Sequence, residues 1–181
     1  MRQTTRALAL FLLLLGACAR GQGGPAAGGE RVENPALGVA IASLPPGFRV
    51  IRAGGDRIEL EGTSGRGAGR VVIAAGPPET GGINLVEAVR TQKGAFEAMP
   101  GGSYLGNREL ATPIGTAFTA RARYQADGRE VEETKVFAIH PQGDRLLTVS
   151  YVYPAGGDSQ ERVQQLLLLI GEIEGLAPSP S

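Results

Sequence analysis

Cysteine and histidine are almost missing from this sequence: Cys18 and His140 each stand alone in 181 residues, and there is no tryptophan. A single thiol cannot close an intramolecular disulfide. A single histidine, with no other thiol beside it, leaves no His-based metal site. Net charge is equally scarce, because 18 Lys and Arg balance 18 Asp and Glu. The chain therefore lacks the basic footprint that nucleic-acid binding needs, and it has no polybasic stretch for anionic lipid. A membrane-spanning helix takes roughly 20 apolar residues. The apolar run Ala7–Leu15 (ALALFLLLL) has nine.

Nine is the length of the apolar centre of an export signal, and Arg2 and Arg6 supply the positive start. Leu15-Gly16-Ala17-Cys18 follows directly. An aliphatic residue, two small ones and a cysteine resemble the lipobox of bacterial lipoprotein precursors. That resemblance implies that residues 1–17 are removed and that the Cys18 thiol carries diacylglycerol. Ala17-Cys18-Ala19 also fits an ordinary A-x-A cleavage site. The lone thiol at this one position favours the anchor, and two or more acyl chains would hold the protein stably on a membrane. The absence of Asp at position 19 implies outer-membrane sorting, facing the periplasm, if the host has an outer membrane. Without Arg2 and Arg6 the remaining 16 basic residues against 18 acidic ones leave a net charge of about −2.

Residues 18–34 then read as the lipidated N-terminus and a Gly- and Ala-rich flexible linker, and 177–181 (APSPS) as a disordered tail. At roughly 5–6 Å × √n, the linker reaches about 20–25 Å. Residues 35–176 form the expected domain.

That domain opens with strands. Leu37–Ile41 and Phe48–Ile51 flank the bend Leu44-Pro45-Pro46-Gly47, and Arg57–Glu61 and Arg70–Ala75 flank a glycine-rich loop, Gly62–Gly69, expected to be mobile. Asn84, with Glu87 three residues on and Ile83 before it, caps a helix. Leu85, Val89, Gln92, Phe96 and Met99 make one face of it. A strand near Tyr104–Leu110 leads to the strongest local signal, Asp127-Gly128, a two-residue hairpin turn with positive φ at both positions. The turn fixes the register. Tyr124 faces Val131 and Phe118 faces Phe137, with Ile139 on the same inward face, while Arg123 meets Glu132 on the other. His140–Asp144 turns into a strand, Arg145–Tyr153, with Leu147, Val149, Tyr151 and Tyr153 alternating. A final helix runs from Ser159 to about Glu174, capped by Asp158 and Glu161, with Val163, Leu166, Leu167, Ile170 and Ile173 as its apolar stripe.

This order of α+β elements, with LPPGF after the first strand and a closing amphipathic helix, resembles the PsbP/DcrB-like domains of many bacterial lipoproteins. The resemblance covers about residues 36–176. It implies an antiparallel sheet between flanking helices, an α/β/α sandwich, and no shared catalytic set. One departure is that no final strand is evident after the last helix.

The residues offer little chemistry. No serine stands in a G-x-S-x-G turn. His140 precedes Pro141 in a turn and reads as a solvated loop residue. Gly65-x-Gly67-x-Gly69 precedes a strand, not the helix that a phosphate-binding loop needs. Asp127, Glu130, Glu132 and Glu133 cluster, but alternation splits Glu132 from Glu133 and basic residues sit nearby. Neither a metal nor a cofactor is expected. The leading reading is a non-catalytic envelope lipoprotein that binds or assembles with another envelope protein. A carrier of an apolar ligand between sheet and helix is the second, and an enzyme with an unrecognised site the third. The charged, ladder-forming hairpin end, with Arg121, Arg123, Arg129 and Glu132, is the candidate partner surface, expected to project into water.

Overall fold

The computed structural model describes residues 29–63, 68–156 and 159–176. The export signal, Cys18, Asp158, the residues from Ala177 on and the centre of the Gly62–Gly69 loop lie outside them. Among the described residues no helix is long and apolar enough to cross a membrane.

The elements are β1 (Val32–Asn34), β2 (Val39–Ile41), β3 (Phe48–Gly54), β4 (Arg57–Gly62), β5 (Gly69–Ala75), α1 (Leu85–Glu97), β6 (Ser103–Thr112), β7 (Gly115–Ala126), β8 (Arg129–Ile139), β9 (Leu146–Pro154), α2 (Ser159–Gly171) and β10 (Ile173–Gly175). Seven strands form one antiparallel sheet in the order β3-β4-β5-β9-β8-β7-β6. Two meanders, β3–β5 and β6–β9, thus join at the β5–β9 pair. The chain crosses from one meander to the other through α1. The helices cover opposite faces, so the fold is the α/β/α sandwich that the family resemblance implies.

Each face has its own core. On the α1 face, Leu85, Val89 and Phe96 pack on Ala120, Ala122 and Phe137. Alanines on β7 admit the helix closely. Asn84 caps α1 as expected, its Oδ1 accepting from the Glu87 amide at 3.1 Å, and Gln92 accepts a bond from Lys135 Nζ at 3.2 Å. On the α2 face, Leu166, Leu169 and Ile170 join Ile58, Leu60, Val71, Ile73, Leu147, Val149, Tyr151 and Tyr153 in the larger core.

The Asp127-Gly128 turn and its register stand as the pattern predicts. Asp127 has φ 50° and Gly128 φ 73°, and Tyr124↔Val131, Phe118↔Phe137 and Arg123↔Glu132 are paired. Positive φ is costly for a residue with a Cβ, and Asp is among those that tolerate it best. Ile139 shares the predicted face but lies at its rim, 39% exposed.

Three features depart from the sequence reading. Val32–Asn34, inside the range assigned to the linker, is strand β1, with Val32 and Asn34 buried. The last helix stops at Gly171, short of the expected Glu174, and Ile173–Gly175 forms β10, a final strand that the sequence pattern does not show. β1, β2 and β10 make a small antiparallel sheet that packs into the α2-side core. The third departure is His140, which is buried, not solvated. Its Nδ1 accepts from the Gln142 amide at 3.1 Å, which leaves the proton on Nε2, donated to the Leu37 carbonyl at 2.7 Å. Asn34 supports the same corner, with Oδ1 accepting from the Leu37 amide and Nδ2 donating to the Arg57 carbonyl. The histidine is a latch between the small sheet and the β8–β9 turn.

Candidate functional site

The four residues expected to form one charged surface are divided by the pleat. Arg121, Arg123 and Glu132 lie on the α2 face. Arg129, opposite Ala126 beside the turn, lies on the α1 face. Alternation at period two imposes this split, because 129 and 132 differ by an odd number.

Nor does Glu132 project into water. Its side chain is 2% exposed, held by Arg123 at 2.6 Å and by Arg121 at 3.4 Å. The Tyr153 hydroxyl approaches it at 3.4 Å. Burial raises the Tyr153 phenol above its usual pKa and keeps it protonated. The two arginine side chains remain 35% and 43% exposed, so they lie across the carboxylate and shield it. A charged residue on a strand thus became a core residue because its own ladder partners cover it. Thr134, on the same face, is also buried.

The acidic cluster around the turn is divided in the same way. Glu133 points to the α1 face, where Ser150 donates to it at 2.6 Å and Tyr124 at 2.9 Å. Burial first, and then the neighbouring Glu133 carboxylate, pushes the Tyr124 phenol far above the usual tyrosine range. It therefore serves as a fixed donor. Among the described residues no group of three or more His, Cys, Asp and Glu is placed to hold a metal.

The glycine pattern before β5 has a packing role at its end. Gly62 and Gly69 pair across β4–β5, and a Cβ on either would run into the Tyr151 ring. That ring is fully buried, edge-on to Phe48 and Tyr153. Arg162 of α2, also buried, reaches the Tyr151 hydroxyl at 3.3 Å and lies over the Tyr153 ring. Gly65 and Gly67 lie outside the described residues.

On the α1 face the helix covers β6–β8, and no helix among the described residues covers the other half of the sheet. There a groove of about 550 Å³ runs along β5, β9 and the end of β8. Its floor is apolar, with Val72, Val131 and Val152 half-buried. Arg70 and Arg129 stand at its sides. Arg70 is paired with Glu59. Arg129 is exposed and has no carboxylate within ion-pair distance among the described residues. The sequence reading missed this site: it took Val131 as an inward residue of the hairpin, and Val72 and Val152 lie on the face opposite to the alternating core residues of β9.

Both edge strands carry a bulge. The register shifts at Ile51 in β3 and at Leu105 in β6, and both side chains are exposed. Bulges interrupt the row of free backbone groups that would recruit another strand.

No family model matches the chain, and no curated protein does. Solved structures share its fold at low identity. Ran-binding protein Mog1p of Saccharomyces cerevisiae is 12% identical, with a TM-score of 0.58 over 83% of this chain and 96% of that one. LpqN, involved in cell envelope biogenesis of Mycobacterium tuberculosis, is 11% identical, with a TM-score of 0.54 over 86% and 88%. A protein from Bacteroides thetaiotaomicron VPI-5482 is 13% identical, with a TM-score of 0.54 over 84% of this chain. This chain spans 50% of that protein's length. The chain has a mixed α+β sandwich fold of the same kind as Mog1p and LpqN.

Proposed function

We propose that this chain is a non-catalytic cell-envelope lipoprotein, held at a membrane through Cys18, whose domain binds another envelope protein. The observation that carries the binding reading is the groove on the open half of the α1 face. It has an apolar floor, two arginines at its sides and one of them, Arg129, without an acidic partner among the described residues. A segment that alternates apolar and acidic side chains fits it, since a β-surface offers contacts at period two. The partner surface is thus Arg129 with Arg70 and the valine floor, in place of the patch read from the sequence. Fold likeness to an envelope-biogenesis protein and to a Ran-binding protein supports a binding module.

The test is crosslinking in intact cells of the native host, comparing wild type with Arg129→Glu. The Arg129 side chain is exposed and makes no ion pair among the described residues, so the melting temperature should hold; Arg70 is left in place because it holds the buried Glu59 carboxylate. Loss of a partner band at normal abundance is the expected result. An unchanged set of bands, with the melting temperature also unchanged, would remove the groove as the docking site.

A further inference from the structure

The opposite face holds a second, differently built cavity. Where α2 leans over β6–β8, a pocket of about 250 Å³ is lined by Leu105, Arg108, Leu110, Arg121, Thr134 and Leu167. A second cavity of about 210 Å³ continues towards Pro113 and Ile170, and Leu110 and Leu167 line both. Together they form a seam with a polar end and an apolar end.

The polar end carries three donors, one of which, Arg121, is shared with Glu132. Thr134 is 1% exposed, and its hydroxyl, although near the Tyr153 phenol, makes no hydrogen bond of good geometry. A buried hydroxyl left without a partner carries a desolvation penalty, which a ligand oxygen would recover. Arg121 reaches Glu132 only at 3.4 Å, while Arg123 holds that carboxylate at 2.6 Å. Arg108 is exposed and has no ion-pair partner among the described residues. At the other end Leu110, Leu167 and Ile170 are apolar, and the bulge in β6 places Leu105, 43% exposed, in the wall. Gly106, which follows, has φ 115°, a conformation that favours glycine.

We infer that this seam binds a single-chain amphiphile with an anionic head. The head oxygens lie against Arg121 and Arg108 and accept from the Thr134 hydroxyl, and the chain runs over Leu110 and Leu167. A cationic head is excluded by the two arginines. A two-chain lipid is excluded by size, since the two cavities joined, about 250 and 210 Å³, reach only the lower half of the roughly 300–1,000 Å³ of sites for drug-sized ligands. The seam and the groove lie on opposite faces, so each can fail without the other.

The test uses the full chain carrying Cys18→Ser, so that no anchor acyl chain competes, titrated calorimetrically with dodecyl phosphate, dodecanoate and dodecyltrimethylammonium below their micelle concentrations. The two anions should bind saturably at one site and the ammonium should not. A preference for phosphate points to a lysophospholipid source, and a preference for carboxylate to a free fatty acid. Thr134→Val should weaken anion binding about threefold to tenfold, the worth of one hydrogen bond, without lowering the melting temperature. Leu167→Glu should abolish binding. Equal binding of the ammonium, no saturable binding, or unchanged affinity in both variants would overturn the proposal. So would a fall in melting temperature for Thr134→Val without loss of affinity, which would make its hydroxyl structural.

Discussion

Phe96→Ala is expected to destabilise the domain by roughly 3–5 kcal/mol, as large-to-small changes in a closed core do. Phe96 is fully buried at the last turn of α1, its ring stacked on Tyr124 with centroids 6.3 Å apart. It is the largest apolar side chain that the helix contributes to the α1-side core. Tyr124 in turn donates to Glu133, so an emptied Phe96 site also loosens the packing around a buried carboxylate. Chemical denaturation followed by circular dichroism reads the effect. A cost below about 1 kcal/mol would mean that α1 does not seat its face on β7 and β8 as described.

The second large effect comes from Glu132. Replacing Arg121 and Arg123 together with Met keeps their apolar stems, which lie along the sheet, but leaves the buried carboxylate uncompensated. An unpaired buried charge costs about 3–5 kcal/mol. Adding Glu132→Met to that pair should recover most of the loss, because an apolar side chain needs no partner there. Glu132→Met alone, which leaves two arginines able to turn to water, should cost less than the arginine pair. If the arginine pair alone is neutral, the carboxylate is hydrated in solution and the shielding account is wrong.

Where the chain carried its own local instruction, the sequence was readable. The hairpin register followed from two residues able to take positive φ, and every cross-strand pair followed from the turn. The α1 cap followed from Asn84 and Glu87, and β9 from the strict alternation of Leu147, Val149, Tyr151 and Tyr153.

Long-range choices were not readable. β1 and β10 have three residues each, too few to show a period. α2 contains Leu166–Leu169 in succession, so apolar residues surround the helix and periodicity cannot choose a face. The fold buries Arg162 and Leu169 with Leu166 and Ile170, and leaves Val163 and Leu167 half-buried at the seam. The burial of Arg162 depends on Tyr151 and Tyr153, whose rings and hydroxyl receive it. His140 sits in a sequence context of proline and glycine that reads as solvent, yet its partner, Leu37, lies 103 residues away.

The same limit applies to the candidate site. Sequence showed which charges the hairpin carries, but grouped Arg129 with Arg121, Arg123 and Glu132 although alternation puts it on the other face. It could not show that Arg121 and Arg123 are engaged with Glu132, while Arg129 opens onto a groove made with β5 and β9. Those strands come from different meanders, and only the β5–β9 pairing brings Val72 beside Val152 and Arg129. The seam under α2 depends on a bulge at Leu105 and on how the helix rotates, neither of which a single strand's pattern encodes.

The reading of this chain as a tethered module rests on one atom, the Cys18 sulfur, and labelling in the native host tests it most directly. Wild type should incorporate radioactive palmitate and sediment with the membranes. Cys18→Ser should take up none and pass to the soluble periplasmic or extracellular fraction with its domain folded. A wild-type protein that is already soluble and unlabelled would contradict the account.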